Sequence, residues 1–224
     1  MSQQLSFDLP AVPAMGRDDF FVSASNAAAV AMIETWQSWP ARKLMLRGPS
    51  GAGKTHLAHV WASLSGARII AASDLAEADI PTLASGPVAV EDLWQITGEK
   101  AQERALFHLH NLVLAEGNSL LITSSDDSAL SDIHLPDLAS RMEGTPGVRI
   151  EPPDDALLAA VLMKLFADRQ LRPTPETLPY IVPRMPRAFA AARNLVETLD
   201  QLALDTGKPI NRRLAATALD NLQI

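Results

Sequence analysis

Through the first two thirds of the chain, short apolar runs alternate with longer stretches in which apolar residues recur every three or four positions. Lys43 to Arg47 (KLMLR), Arg68 to Ala72, Val88 to Glu91, Leu120 to Thr123 and Val148 to Glu151 each read as a short buried strand. Between and before them lie predicted helices at His56 to Ser65, Glu99 to Glu116 and about Ser25 to Trp39. The last has Ser25 or Asn26 as its N-cap and carries Ala29, Met32, Ile33 and Trp36 at helical spacing. Strands alternating with helices predict an α/β fold in three layers around a five-stranded parallel sheet.

The pattern changes at the Pro152-Pro153 pair. Beyond it the strand signal disappears, and PPDDALLAAVLMKLFADRQ, PETLPYIV, RAFAAARNLVETLDQLALDTG and NRRLAATALDNL read as helices, punctuated by Pro173, Pro175, Pro183, Pro186 and Gly207. At the other end, MSQQLSFDLPAVPAMG holds two prolines and little periodicity. The expected organisation is an extended tail over residues 1–16, an α/β core over 17–151 and a small α-helical lid over 152–224.

Composition narrows the picture. A chain of 224 residues that is 47% hydrophobic can bury a full core plus a smaller attachment. It contains no cysteine, which removes disulfides and thiolate metal sites and fits a reducing cytosol, and the five histidines lack ligand spacing. No apolar stretch is long enough to span a bilayer and the start lacks a signal-peptide pattern, so a soluble cytoplasmic protein without a membrane role is expected. The net charge of −7, with no Lys/Arg-rich block, argues against strong direct binding to DNA.

The candidate chemistry lies just after the first strand, in Gly48-Pro49-Ser50-Gly51-Ala52-Gly53-Lys54-Thr55, followed by His56. This matches G-x-x-x-x-G-K-[ST], which a chain of this length meets by chance on the order of once in a hundred. Its strand-loop-helix setting is the one the motif requires. Gly48, Gly51 and Gly53 let backbone N–H groups close around phosphate oxygens at a helix N-terminus. Lys54 is expected to neutralise β/γ-phosphates and Thr55 to hold Mg²⁺.

FFVSASNAAAVAMIETW and LMLRGPSGAGKTHLAHVWA, with T-H-L-x-H at Thr55 to His59, resemble the initiator branch of the AAA+ ATPases, the DnaA family, over roughly residues 17–224. Within it the chain is similar to the Hda group, shortened homologues that turn off the initiator, particularly the α-proteobacterial form. The resemblance implies an adenine and ribose site around Phe21 and Val22, with Asn26 close by, and ADP or ATP with Mg²⁺ as ligands. It assigns the acids of PVAVEDLW to the metal and the attacking water. Here Glu91 precedes Asp92, whereas the family usually has Asp first, so Glu91 is the expected metal-side acid, Asp92 the water-side acid, and the chain's own hydrolysis is expected to be weak.

The same resemblance makes Ser125, beside Ser124 in LLITSSDD, the polar residue that senses the γ-phosphate or the water. In LPDLASRM it makes Arg141 an arginine finger acting on a neighbouring subunit's nucleotide. An arginine near the start of the third lid helix folds back on the nucleotide in this family; Arg187 is preferred and Arg193 is the alternative. Gln4-Leu5-Ser6-Phe7-Asp8-Leu9 resembles a sliding-clamp-binding peptide, with Gln4 as polar anchor and Leu5, Phe7 and Leu9 as apolar anchors. The partners implied are the clamp and the DnaA initiator, and the function is stimulation of hydrolysis of initiator-bound ATP. Whether the chain forms a homodimer or a higher oligomer is left open. The rival readings are a self-contained ATPase acting as a helicase loader or initiator paralogue, and a P-loop kinase for a small metabolite.

Overall fold

The computed structural model describes residues 21–125 and 128–222. Five strands, β1 (Lys43–Arg47), β2 (Arg68–Ala71), β3 (Val88–Glu91), β4 (Leu120–Ser124) and β5 (Gly147–Arg149), form one parallel sheet in the order β2-β3-β4-β1-β5. Alternate residues of each strand face opposite sides, and both sides are dry. Met45, Val88, Val90, Leu120 and Ile122 enter one apolar cluster with Leu106, Leu109 and Leu138. Leu44, Leu46, Ala89 and Leu121 enter a second with Ile33, Leu57 and Trp61. The first cluster lies under helices α3 (Ile80–Ala84), α4 (Lys100–Ala115) and α6 (Pro136–Glu143), and the second under α1 (Ala27–Glu34) and α2 (Lys54–Ser65). One turn, α5 (Ser128–Ser131), leads into α6. The fold is the three-layer α/β arrangement expected.

A third cluster is made by Leu158, Leu162, Phe166, Ile181, Leu195, Leu199, Ala215 and their neighbours. These residues come from α7 (Asp155–Asp168), α8 (Thr177–Ile181), α9 (Phe189–Thr206) and α10 (Arg212–Leu222). Asp154 caps α7 by accepting the Leu157 N–H at 2.8 Å, which also holds its carboxyl below the usual range.

The first helix differs from expectation. α1 stops at Glu34 rather than continuing to Trp39, and two short 3₁₀ turns, Trp36–Ser38 and Pro40–Arg42, follow. Pro40 disfavours helical backbone at Trp39, which is extended (φ −61°, ψ 132°). Trp39 then stacks on Trp61 with ring centroids 5.2 Å apart, and its indole N–H donates to the Met32 carbonyl at 2.7 Å. Asn26 occupies the N-cap position without capping. No helix among the described residues is long and apolar enough to cross a membrane.

Candidate nucleotide site

The parallel register brings the polar strand ends together at the carboxyl edge of the sheet. Arg47 lies beside Ser124, and Val90 beside Ile122, so Glu91, the last residue of β3, is level with Thr123. The glycine-rich loop leaves β1 there and runs into α2. Gly48 is packed so closely that a Cβ would stand 2.5 Å from the Ile150 carbonyl oxygen. Gly51 has φ +75°, and a Cβ there would stand 2.9 Å from Ala188 Cβ, so a side chain is excluded by conformation and by space.

Lys54, at the start of α2, is 7% exposed. Its ammonium donates to the carbonyls of Gly48 (2.7 Å) and Pro49 (3.0 Å), which places the charge against the loop. Burial pushes its pKa down, while Asp92 and then Glu91 oppose that shift. Glu91 Oε1 is buried with no hydrogen-bond partner. A buried acceptor left unpaired, near enough to Lys54 to act on its charge, fits a hard cation or its bound water, which would complete the oxygen's coordination. The residues present therefore fit both a polyphosphate and Mg²⁺. Asp92 is in the left-handed region (φ 58°, ψ 55°), and its N–H donates to Thr123 Oγ1 at 3.0 Å. Ser125 follows β4 half-buried, whereas Ser124 is fully buried and its carbonyl accepts the Gly48 N–H at 3.2 Å.

The turn at Phe21 to Asn26 belongs to the same neighbourhood, because the Ser25 carbonyl accepts the N–H of Glu151, next to Ile150. Phe21 and Val22 are exposed apolar residues. Asn26 is buried and fastens the turn; its Oδ1 accepts the Ser23 N–H and its Nδ2 donates to the Phe21 carbonyl, both at 2.9 Å. The lid touches the phosphate loop directly, since the Phe189 N–H at the start of α9 donates to the Gly51 carbonyl at 3.1 Å. Arg187 stands two residues before α9 rather than on it, because Ala188 is extended (φ −147°, ψ 140°). Its guanidinium pairs with Asp155 at 2.7 Å and donates to the Pro153 carbonyl at 3.2 Å. Arg193 lies exposed within α9.

Arg141 is elsewhere. Exposed in the last turn of α6, it has its carbonyl held by Lys43 Nζ (3.4 Å) and Thr145 Oγ1 (2.7 Å). Lys43 begins β1 and the phosphate loop leaves its end, about 16 Å further along an extended strand. Lys43 Nζ also donates to His110 Nε2 at 3.4 Å, while His110 Nδ1–H faces Asn111 Oδ1 at 3.3 Å, a pairing that requires the neutral ring. Burial, reinforced by the charges of Lys43 and Arg141 and opposed by the Asn111 bond, pushes the imidazole pKa down. Among the described residues no group of three or more His, Asp or Glu is placed to hold a metal ion. Gln4, Leu5, Ser6, Phe7 and Leu9 lie outside the described residues.

A glycine-rich loop leaving an inner strand of a parallel sheet, an acid pair on the strand two places away and a helical module whose third helix meets the loop make up an AAA+ fold. Its particular form is that of domain III of the replication initiation protein DnaA: the Thermotoga maritima domain superposes with a TM-score of 0.78, covering 96% of this chain and 99% of that one at 19% identity. DnaA of Aquifex aeolicus bound to AMPPCP gives a TM-score of 0.69 over 87% of this chain and 66% of that one, also at 19% identity. The sequence is weakly homologous to DnaA, being 24% identical to the Cutibacterium acnes chromosomal replication initiator over 92% of this chain and 46% of the initiator. The chain thus spans less than half the length of that relative. An uncharacterized protein of Haemophilus influenzae is 27% identical over 172 residues, 70% of this chain and 72% of that one. No family model matches the chain.

Four contributors escaped sequence reasoning. Thr123 holds the Asp92 backbone, Asp155 holds Arg187, and Lys43 with Thr145 holds Arg141. A threonine inside an apolar strand and an acid in a first helical turn look ordinary in sequence. Only the register and the lid placement give them their partners.

Proposed function

We propose that the chain is an Hda-like, nucleotide-binding regulator of replication initiation that stimulates hydrolysis of ATP held by DnaA. The observation carrying this reading is the separation of its two cationic centres: Lys54 is buried in the phosphate loop, and Arg141 is exposed at the opposite edge of the sheet. An arginine so placed is out of reach of the chain's own phosphates and open to a neighbour's.

In this reading the loop Gly48 to Thr55 and His56 holds ADP or ATP, and Phe21 and Val22, steadied by Asn26, flank the base. Thr55 and Glu91 would hold Mg²⁺, which would supply charge neutralisation at the phosphates. Asp92 and Ser125 contact the attacking water and the γ-phosphate, and Arg187 reaches the phosphates once released from Asp155. The inverted acid pair favours holding a diphosphate over turning over a triphosphate, so the ADP form is the partner-competent one and self-hydrolysis is weak. Residues 4–9 tether the protein to the sliding clamp.

Two measurements test the binding half. Lys54→Ala removes the compact charge set against the β/γ-phosphates and should abolish tight ADP binding in calorimetry while the fold survives. Unchanged ADP affinity would remove the loop from the account. Nucleotide identified in the purified protein, together with capture on immobilised clamp, separates this reading from a free-standing ATPase or a small-metabolite kinase, neither of which predicts clamp capture.

A further inference from the structure

Glu103 lies in the first turn of α4, outside the nucleotide site, and is 1% exposed. Its carboxylate has no salt-bridge partner among the described residues and accepts three backbone N–H groups instead. Oε1 takes those of Gly98 at 2.8 Å and His134 at 3.0 Å, and Oε2 takes that of Leu135 at 2.7 Å. Burial alone would raise its pKa, but the three backbone donors together with the attraction of the nearby His134 outweigh it, and the carboxyl is held below its usual range.

The three donors come from two places that matter to the proposed function. Gly98 closes the turn that begins at Asp92 and passes through the 3₁₀ segment Leu93–Ile96. His134 and Leu135 enter α6, and Leu135 is its N-cap residue. The other end of that eight-residue helix is held through the Arg141 carbonyl by Lys43 and Thr145. One buried charge therefore ties the backbone following the acid pair to the entrance of the helix that carries Arg141. So short a helix has little intrinsic stability, and its position comes from what grips its ends.

We infer that Glu103 is a positioning residue for Arg141, fixing the entry of α6 against the acid-pair loop so that the arginine is presented in one geometry to the initiator's nucleotide. This rests on the reading of Arg141 as a group acting in trans. Hydrogen exchange on the full chain tests the positioning without reference to that reading. Glu103→Gln replaces one acceptor oxygen by an amine that faces an N–H, and Glu103→Asp keeps the charge but falls one methylene short. Each should speed exchange at Gly98, His134 and Leu135 and through α6, while β1 and β4 stay protected and ADP affinity changes by less than about threefold.

Stimulation of ATP hydrolysis by purified DnaA gives the second readout. Glu103→Gln should lower the maximal stimulated rate by roughly tenfold to a hundredfold, the scale of a small misplacement of a reacting group. Added to Arg141→Ala it should cause no further loss. Unchanged exchange in both variants overturns the inference, as does loosened exchange with full stimulation while Arg141→Ala abolishes it. If both variants lose ADP binding and β-strand protection together, Glu103 is a general stability element and the inference is wrong. If Arg141→Ala leaves stimulation intact, the functional reading fails instead, and the claim that Glu103 fixes α6 is decided by exchange alone.

Discussion

Three residues show how burial decides chemistry. Lys54 keeps its ammonium in a nearly closed site because two carbonyls accept from it and two carboxylates stand near. Glu91 keeps an oxygen unpaired. Glu103 keeps a charge in the interior by accepting three backbone donors, and this gives a pH prediction. Its folded pKa lies below the ordinary carboxylate value of 4.5, so its contribution to stability is fully present above that value and is lost as pH falls through the lower folded value. Chemical denaturation at a series of pH values should therefore show a smaller loss of stability in Glu103→Gln than in the parent below about pH 4.5. Equal slopes would show that the carboxylate is not held in the way described. The phosphate-loop residues were readable in the sequence because their spacing is local. The roles of Glu103, Thr123 and Asp155 were not, because each depends on a backbone group or side chain more than thirty residues away, or on an ion pair across the lid.

At the scale of elements, short apolar runs located the inner strands β1, β3 and β4 to within a residue, since these are buried on both faces, while the more exposed edge strands β2 and β5 were read to within one or two residues. The helices were read less sharply. Trp36 fits the helical spacing of the predicted first helix and Trp39 was its predicted end, yet both pack against Trp61, with Trp36 meeting its ring edge-on at 6.3 Å. Pro40 was the signal that the helix must end earlier. The contact between the phosphate loop and α9 had no sequence signature and carries a prediction of its own. Gly51→Ala puts a methyl group 2.9 Å from Ala188 Cβ at a positive φ, so either the loop or the start of α9 must move. The expected cost is about 1–3 kcal/mol, a fall in melting temperature of roughly 2–4 °C per kcal/mol, accompanied by weaker ADP binding. Retention of both properties would mean that the lid docks on the loop without constraining it.

At the scale of the whole molecule, the candidate nucleotide site lies at the carboxyl edge of the sheet and Arg141 at the other edge, while the proposed clamp peptide, residues 4–9, lies outside the described residues. Replacing Gln4 and Leu5 together with Ala should abolish clamp binding in a pull-down and leave melting temperature and ADP affinity unchanged. A single tail should bind one clamp subunit with a dissociation constant of roughly micromolar size, because a short extended peptide offers a small footprint and must be ordered on docking. Normal clamp binding by the double variant would remove the tether from the account. The independence of the two cationic centres is the central claim, and Arg141→Ala tests it most directly, with ADP affinity and stimulation of DnaA-bound ATP hydrolysis measured on the same preparation. The account predicts nearly unchanged ADP affinity with stimulation lost by a factor on the order of 10³ to 10⁵, the range arginine fingers supply in related phosphoryl transfers. Retention of most of the stimulation, or loss of ADP binding in step with it, would contradict it.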